Sequence, residues 1–328
     1  MPQRDKIALV AAGGSMGMIF SERQEGHAPG LSAEDIARWL PEEIRRDILV
    51  VDWSHQPSSH FSIRMTTDLV EVLKKLVVDG VQGIVVTCGT DVLEEMAYLT
   101  DLLWTYPQPV IFTGAMRPSD LVGSDAMINL HQSLLAVRCE AVWGLGVLAC
   151  FQDQLFAASE ITEEIPHRRD PFAAPGLGPV GEIRYDRIVL VRRPKRPTSF
   201  GSAVTPAREV ELVTAALGGG ERLIAALAQG APLDGLVLAG FGLGNVPPAW
   251  LPHIKTLLKN NVPLVVTSRC PQGTVDTLYG FEGSARRLLE FGVFSGGSRR
   301  PVQARLRLSV GLGAGLQGDD LRKYLLET

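Results

Sequence analysis

The chain has 328 residues, of which 45% are hydrophobic and 21% are charged, and its formal net charge is −4. This composition is typical of a globular protein with about two domains. The mild acidity, without a basic patch interleaved with aromatic residues, argues against a nucleic-acid partner. No apolar run reaches the roughly 18–20 residues that span a bilayer.

The first residues, MPQRDKIALVAAGG, lack the long apolar core of a signal peptide, so the cytoplasm is the expected compartment. The four cysteines form no C-x-x-C pair, and the six histidines form no H-x-x-x-H pair. Neither a disulfide framework nor a metal site is predicted from these spacings. No other cofactor is expected.

Short apolar runs rich in β-branched residues alternate with helical patterns along the chain. In the first part these runs are KIALVAA, DILVVDW, GIVVTCG, PVIFTGA and GLGVLAC. This alternation predicts an α/β fold with a parallel sheet covered on both faces. A second, smaller α/β pattern follows, with strand-like runs EVELVTA, GLVLAGF and PLVVTSR. The Pro-, Ser- and Arg-containing stretch 194–208 is predicted as a linker between domains 1–193 and 209–328.

Small and hydroxyl residues follow several of the predicted strands. They are Gly13-Gly14-Ser15, Ser58-Ser59, Gly89-Thr90-Asp91 and Gly114-Ala115-Met116. In a parallel sheet the ligand crevice lies beyond the carboxyl ends of the strands. We therefore expect a binding site at this edge of the sheet.

Thr90 and Asp91 stand where a buried strand meets a helix, and two interpretations are open. Both residue types accept bonds from the free N–H groups at a helix start, so this fragment alone favours a helix cap. Polar residues follow four of the predicted strands, however, and a single helix cap would account for only one of these positions. Ser15 lies in a glycine-rich turn without the G-x-G-x-x-G or G-x-S-x-G spacing, which argues against a dinucleotide site and against an α/β-hydrolase.

Three segments together resemble the bacterial-type L-asparaginase family: AAGGSMGM, GIVVTCGTDVLEEMAYLTDLL and PVIFTGAMRPSDLVGSDAMINLHQSLLAV. The later segments GLGNVPPAW and SRCPQGTV are also similar, so the resemblance spans nearly the whole chain. It implies a flavodoxin-like N-terminal α/β domain followed by the smaller α/β domain. It also implies an amidohydrolase in which a hydroxyl attacks a small-molecule amide and forms an acyl-enzyme, while backbone amides hold the oxyanion.

The resemblance assigns roles to particular residues of this chain. Ser15 would be the nucleophile, where the family usually has threonine, and Thr90 with Asp91 would form a second polar group together with a lysine. Asn245 would reach the site of a neighbouring subunit, which implies a homodimer or homotetramer. The implied substrate contacts are Gly14, Ser58, Ser59, Gly89 and Ala115.

The chain departs from the family pattern at three places. The family lysine is expected eleven residues after Asn129, where this chain has Glu140. Glu140 would be a catalytic residue, either protonated beside Asp91 or acting as a general base, or else an exposed glutamate at a helix end. The loop after Ser15 has no tyrosine, and His27 is its only obvious base, although an ordinary surface histidine is the interpretation slightly favoured. Cys88 precedes Gly89-Thr90-Asp91, where a buried packing role is expected. These departures leave two hypotheses: an amidohydrolase with a shifted substrate, or a catalytically inactive ligand-binding or sensor protein.

Overall fold

A computed structural model describes residues 6–201 and 204–327 of the chain. The chain divides into two compact units, Met1–Ser202 and Ala203–Thr328, which are described separately. Residues 202 and 203 of the predicted linker lie outside the described residues, as do residues 1–5 and 328. No helix within the described ranges is long and apolar enough to cross a membrane.

The first unit contains one large sheet and helices on both of its faces. Its strands are β1 (Ile7–Ala12), β2 (Met18–Ser21), β3 (Gly26–Pro29), β4 (Ile48–Ser54), β5 (Gly83–Cys88), β6 (Val110–Thr113), β7 (Val147–Phe151), β8 (Gln154–Ala157), β9 (Thr162–Glu163), β10 (Phe172–Ala173), β11 (Gly181–Arg184) and β12 (Arg187–Leu190). Its helices are α1 (Ala33–Ala37), α2 (Glu42–Arg45), α3 (Ile63–Val78), α4 (Leu93–Leu103) and α5 (Ala126–Val137).

Eight strands form the large sheet, in the order β12-β11-β8-β7-β6-β5-β1-β4. The five strands from β7 to β4 are parallel to one another, whereas β8, β11 and β12 add an antiparallel edge. The five apolar runs predicted as strands in this part of the chain form β1, β4, β5, β6 and β7. The predicted α/β class is therefore confirmed.

The core of the first unit lies on both faces of the sheet because the strand side chains alternate. In β1, Ala8, Val10 and Ala12 belong to the apolar cluster that includes α3 and α4. Ile7 and Leu9 belong to the opposite cluster, which includes α1 and α5. Burial on both faces explains why these strands read as continuous apolar runs rather than as alternating ones.

The second unit is a smaller α/β domain with a four-stranded parallel sheet in the order β13-β14-β15-β16. Its strands are β13 (Val210–Thr214), β14 (Gly235–Gly240), β15 (Leu264–Ser268) and β16 (Phe294–Ser295). Its helices are α6 (Glu221–Gln229), α7 (Leu251–Lys259), α8 (Ala285–Glu290), α9 (Pro301–Gly313) and α10 (Gly318–Leu326).

A buried ion pair ties the stretch after β12 to the first unit. Asp101, near the end of α4, accepts hydrogen bonds from the backbone N–H of Val147 at 3.0 Å and from Nη2 of Arg196 at 3.4 Å. Arg196 also donates to the carbonyl of Trp104 at 2.7 Å. Burial raises the pKa of Asp101 to about 6, and the Arg196 charge partly offsets that rise.

We predict a pH-dependent contribution of Asp101 to stability. Because its folded-state pKa lies above the ordinary aspartate value of 3.8, the native state holds a proton that the unfolded state releases. The free energy of unfolding should therefore fall by on the order of 3 kcal/mol as the pH rises from about 3 to about 7. Urea unfolding across this range should show the fall in the wild type and not in Asp101→Asn. Asp186→Asn, at an exposed position, should behave as the wild type does, and a wild-type slope in Asp101→Asn would contradict the assignment.

Candidate active site

Four loops meet at the carboxyl edge of the parallel strands. They follow β1, β4, β5 and β6, which are neighbours in the sheet. These loops carry Gly13-Gly14-Ser15, Ser58-Ser59, Gly89-Thr90-Asp91 and Gly114-Ala115-Met116. The structure therefore brings together the strand ends that the sequence singled out.

Glycines allow these loops to approach one another at backbone distance. A methyl group on Gly14 would overlap the backbone of Gly89, and one on Gly89 would overlap the side chain of Ser58. Gly14 also has a φ of +89°, which side chains rarely adopt. The residues that follow, Ser15 and Thr90, are consequently held on adjoining loops.

The carboxylate of Asp91 is bonded within the site rather than to the helix behind it. Oδ2 of Asp91 accepts a hydrogen bond of 2.8 Å from Oγ of Ser58, whose side chain is buried. Neither the 3₁₀ turn Thr90–Val92 nor α4 has a side-chain cap. The helix-cap interpretation of Thr90 and Asp91 is therefore wrong, because the Ser58 hydroxyl, and not the helix start, holds the carboxylate.

Ser15 begins the 3₁₀ turn Ser15–Gly17 directly after the two glycines. The turn is closed by a backbone hydrogen bond of 3.0 Å from Gly17 N to Gly14 O. Ser15 is half-buried, so its side chain is partly accessible at the edge of the sheet. This position suits an attacking hydroxyl.

Two buried polar residues fix the loop that carries Ala115. The Asp125 carboxylate accepts bonds of 3.1 Å from the backbone N–H groups of Met116 and Arg117. The amide of Asn129 donates to the carbonyl of Gly114 at 3.0 Å and to Asp125 at 2.9 Å. These contacts explain the aspartate and the asparagine of the SDAMINL segment, since both side chains set the loop conformation. Ala115 itself is fully buried beneath this edge.

A β-hairpin of β2 and β3 follows Ser15 and is held by the loop after β6. Asp120 accepts a bond of 2.8 Å from Phe20 N, and its other oxygen lies 3.1 Å from Nε2 of His27. The Phe20 N–H is the largest influence lowering the pKa of Asp120. An ionised carboxylate can only accept, so Nε2 of His27 donates the hydrogen bond to Asp120. His27 is thus oriented on this hairpin, and no bond joins it to Ser15 in the described part of the chain.

Cys88 is the last residue of β5 and is fully buried. Burial raises the pKa of its thiol well above the usual range. A thiol that stays protonated is a poor nucleophile. The expected packing role of Cys88 therefore agrees with its surroundings.

The expectation that Glu140 belongs to this site needs correction. Helix α5 starts near the carboxyl end of β6 and runs back toward the amino end of β7, and Glu140 follows it in an exposed 3₁₀ turn. The nearby Gly144 N donates to Pro107 O at 2.9 Å, and Pro107 precedes β6. Glu140 thus lies at the opposite edge of the sheet from Ser15, because counting from Asn129 ended one helix away from the site.

Two acidic residues that the sequence reasoning missed lie beside Asp91. Glu94 is in the first turn of α4, and its Oε2 accepts a bond of 2.7 Å from the backbone N–H of Glu163 in β9. Burial, followed by the charges of Asp91 and Glu94, raises the pKa of Glu163. Glu94 follows Asp91 closely in the sequence and could have been suspected, whereas only the folded chain reveals Glu163. Even so, no cluster of metal-ligating side chains occurs among residues 6–201 and 204–327.

Asn245 lies in the second unit, in the turn after β14. Its backbone carbonyl accepts from Phe241 N at 2.7 Å, and its side-chain oxygen accepts from Ala285 N at 3.2 Å. These bonds fix Asn245 within its own unit. Its role toward a neighbouring subunit stays a prediction.

Comparisons with known proteins agree with this arrangement. Residues 6–196 match the family model described as "Asparaginase, N-terminal", and residues 209–325 match "Glutaminase/Asparaginase C-terminal domain". An L-asparaginase of Bacillus licheniformis is 30% identical over 95% of this chain and 97% of its own length. The fold is that of the asparaginase class of amidohydrolases. The chain belongs to the asparaginase family.

Other similar proteins extend the range of activities named within this family. A probable L-asparaginase of Deinococcus radiodurans is 30% identical over 98% of this chain and 97% of its own length. One component of the glutamyl-tRNA(Gln) amidotransferase of Haloquadratum walsbyi is 28% identical over 92% of this chain and 70% of its own length. The crystal structure of a probable cytoplasmic L-asparaginase from Campylobacter jejuni shares the fold, with a TM-score of 0.88 and 24% identity over 99% of this chain and 100% of that one.

We predict that Gly14→Ala destabilises the first unit and disrupts the site. The new methyl group would overlap the Gly89 backbone at a positive φ, so overpacking adds about 1–3 kcal/mol to the conformational strain. Gly80→Ala is the matched control, since Gly80 has a φ of +95° but nothing within 4 Å of the added atom. Urea unfolding should show a clearly larger loss for Gly14→Ala, and equal losses would show that the close approach is unimportant.

Proposed function

We propose that this chain hydrolyses a small-molecule amide and that Ser15 is the nucleophile. The observation that carries this proposal is the backbone contact between Gly14 and Gly89, which holds Ser15 beside Thr90 and Asp91. A hydroxyl nucleophile, a second hydroxyl and a carboxylate on adjoining loops are the groups that acyl transfer requires. Membership of the asparaginase family supports the same reaction class.

In the first half of the reaction, Ser15 Oγ attacks the amide carbon and gives a tetrahedral intermediate. Backbone N–H groups of the glycine-rich loops, including those of Gly14 and Gly89, are the candidates to stabilise its oxyanion. The C–N bond then breaks, the nitrogen takes up a proton and leaves as ammonia, and an ester remains on Ser15. His27, oriented by Asp120, is our candidate to accept the hydroxyl proton when the hairpin closes over substrate.

In the second half, water hydrolyses the ester and regenerates the serine hydroxyl. Thr90 is half-buried on the neighbouring loop, where its hydroxyl can orient the water. We assign Asp91 to the substrate ammonium, because its carboxylate is already fixed by Ser58 and needs no reorganisation. Ser59, exposed next to Ser58, is our candidate contact for the substrate carboxylate.

We further propose that Glu163, and not Glu140, stands where the family lysine would support Thr90 and Asp91. The contribution of the Asp91 charge to the raised pKa of Glu163 supports this position. A glutamate in place of an ammonium reverses the local charge, which favours cationic or neutral substrate groups near Asp91. Because the reversed charge does not support Thr90 and Asp91 as the family lysine would, we propose a substrate other than free L-asparagine.

The second hypothesis, an inactive ligand-binding or sensor protein, is favoured by one observation. The Ser15 hydroxyl has no acceptor bonded to it among the described residues, so activation depends on substrate or on a movement of the hairpin. Ammonia release over a panel of primary amides separates the two hypotheses. Release from any of them supports the enzyme.

Two further parts of the proposal concern the surroundings of the enzyme. We propose a cytoplasmic location, in keeping with the Campylobacter jejuni protein, which is described as a probable cytoplasmic L-asparaginase. We also propose a homodimer or homotetramer, in which Asn245 contributes to the site of another subunit. The family resemblance of the GLGNVPPAW segment supports this assignment.

We predict that Ser15→Ala lowers the turnover number by about a thousandfold or more, because it removes the atom that forms the ester. Ser15→Thr, which restores the hydroxyl usual in the family, should keep most of the activity. Both variants would be assayed by ammonia release with the best substrate of the panel. If Ser15→Ala kept near-normal turnover, Ser15 would not be the nucleophile, and Thr90 would be the next candidate.

We predict that Glu163→Lys raises the hydrolysis of L-asparagine by at least about tenfold. One unit charge about 4 Å away is worth roughly 4 kcal/mol at an effective dielectric of 20, and about a third of that changes a rate tenfold. Glu140→Lys makes the same chemical change at the opposite edge of the sheet and should leave this rate unchanged. If only Glu140→Lys raised the rate of L-asparagine hydrolysis, Glu140 would stand at the position of the family lysine, as the sequence indicated.

A further inference from the structure

Two arginines converge on one point beside the candidate site. The position at which Gly123 would carry a Cβ atom lies 3.4 Å from Nη1 of Arg117 and 4.0 Å from Nη1 of Arg169. Because Gly123 has no side chain, no Cβ atom stands between the two guanidinium groups. Arg117 and Arg169 are both exposed and are called the rim pair below.

The rim pair joins two segments that also hold site residues. Arg117 belongs to the loop after β6, which binds the hairpin through Asp120 and His27. Arg169 belongs to the segment between β9 and β10, and β9 carries Glu163, whose pKa the Asp91 charge raises. The two segments therefore place the rim pair at the border of the same carboxyl edge.

Neither member of the rim pair forms a salt bridge with a nearby acid in the described part of the chain, although the Arg169 charge helps to lower the pKa of Asp170. Asp120 is occupied by Phe20 N and His27, and Asp170 accepts two hydrogen bonds from Arg168 at 2.8 and 2.5 Å. No ion pair involves Arg117 or Arg169 within the described ranges of the chain. Two like charges thus lie near each other, and neither has a protein counter-ion in direct contact among the described residues.

We propose that the rim pair binds an anionic group, a carboxylate or a phosphate, at the end of the substrate remote from the reacting amide. The Nη1 atoms of Arg117 and Arg169 lie 3.4 and 4.0 Å from the Cβ position of Gly123. The distance between the two atoms therefore cannot exceed the sum of these distances. One anion whose oxygens each accept a charge-assisted hydrogen bond of about 2.8 Å can bridge such a gap. This inference rests on the proposed function and names the substrate class: amides with a distal acid.

The charges of the site agree with such a substrate. Asp91, Glu94 and Glu163 make the inner part of the site negative, whereas the rim pair makes its border positive. A molecule with an ammonium or amide at one end and an acid at the other is complementary to this arrangement. An exposed basic border also steers acidic molecules toward the site at low ionic strength.

Direct binding of an anion is the first test. Calorimetry at low ionic strength would measure the affinity of the full chain for inorganic phosphate and for glutarate. The double variant Arg117→Ala/Arg169→Ala should bind both at least about tenfold more weakly, because charge-assisted bonds are lost. Arg168→Ala is the control, since it removes one positive charge from the same segment at a side chain already bonded to Asp170. Absence of binding by the wild type, or an equal loss in Arg168→Ala, would overturn the proposal.

Kinetics with a matched pair of substrates is the second test. L-asparaginyl-L-aspartate and L-asparaginyl-L-alanine differ by one distal carboxylate, and ammonia release would give kcat/KM for each. The wild type should prefer the acidic dipeptide by about tenfold, and each single rim variant should lose this preference while keeping its rate on the neutral one. Arg169→Ala leaves the loop after β6 intact, so its result stands even if Arg117→Ala misfolds.

The two tests separate the anion site from the proposed reaction. If phosphate and glutarate bind through the rim pair but no amide is hydrolysed, the anion site stands and the proposed function fails. If amides are hydrolysed without any preference for the acidic dipeptide, the proposed reaction stands and the rim-pair inference fails. Anion binding through the rim pair that does not compete with the acidic dipeptide would overturn the assignment to substrate, because the site would then serve a free anion.

Discussion

The close approach of Gly14 to Gly89 is the contact on which the candidate site depends. It joins the loops after β1 and β5, and Ser58 from the loop after β4 packs against Gly89. A parallel sheet brings strand ends to one edge but does not by itself bring their loops into contact. The loops come into contact because Gly14 and Gly89 have no side chains. Ser15 and Thr90, which follow these glycines, are then available for chemistry.

Around this contact the polar side chains divide into those that hold the loops and those that remain available. Asp125 and Asn129 use their hydrogen-bonding groups on the loop after β6 and are buried there. Ser58 is also buried, but its single hydroxyl donates to Asp91 and so fixes a carboxylate that stays exposed to solvent. Some motif residues of this chain therefore hold the loops, and others remain available for chemistry. The two groups differ in their burial and in their hydrogen bonds.

The sequence predicted the strands and the edge of the sheet that carries the site, for an identifiable physical reason. Strands buried on both faces read as apolar runs, and β1, β4, β5, β6 and β7 all do so. The polar residues directly after them are local in sequence, so their common location followed from the parallel order. By contrast, the antiparallel strands β8, β11 and β12 are short and partly polar, and their addition to one side of the parallel sheet was not predicted.

The error at Glu140 and the omission of Glu163 have one cause. Counting along a chain assumes that a functional residue keeps its distance from a motif, but an α-helix carries the chain from one edge of the sheet to the other. Glu140 follows the end of α5 and therefore lies at the edge of the sheet opposite Ser15. Glu163, in β9, lies beside the first turn of α4, where its backbone N–H donates to the side chain of Glu94. The Asp91 charge thus acts on a residue about 70 positions away in sequence. Such tertiary proximity is absent from any local pattern, which is why the sequence located the loop that carries Ser15 and not Glu163.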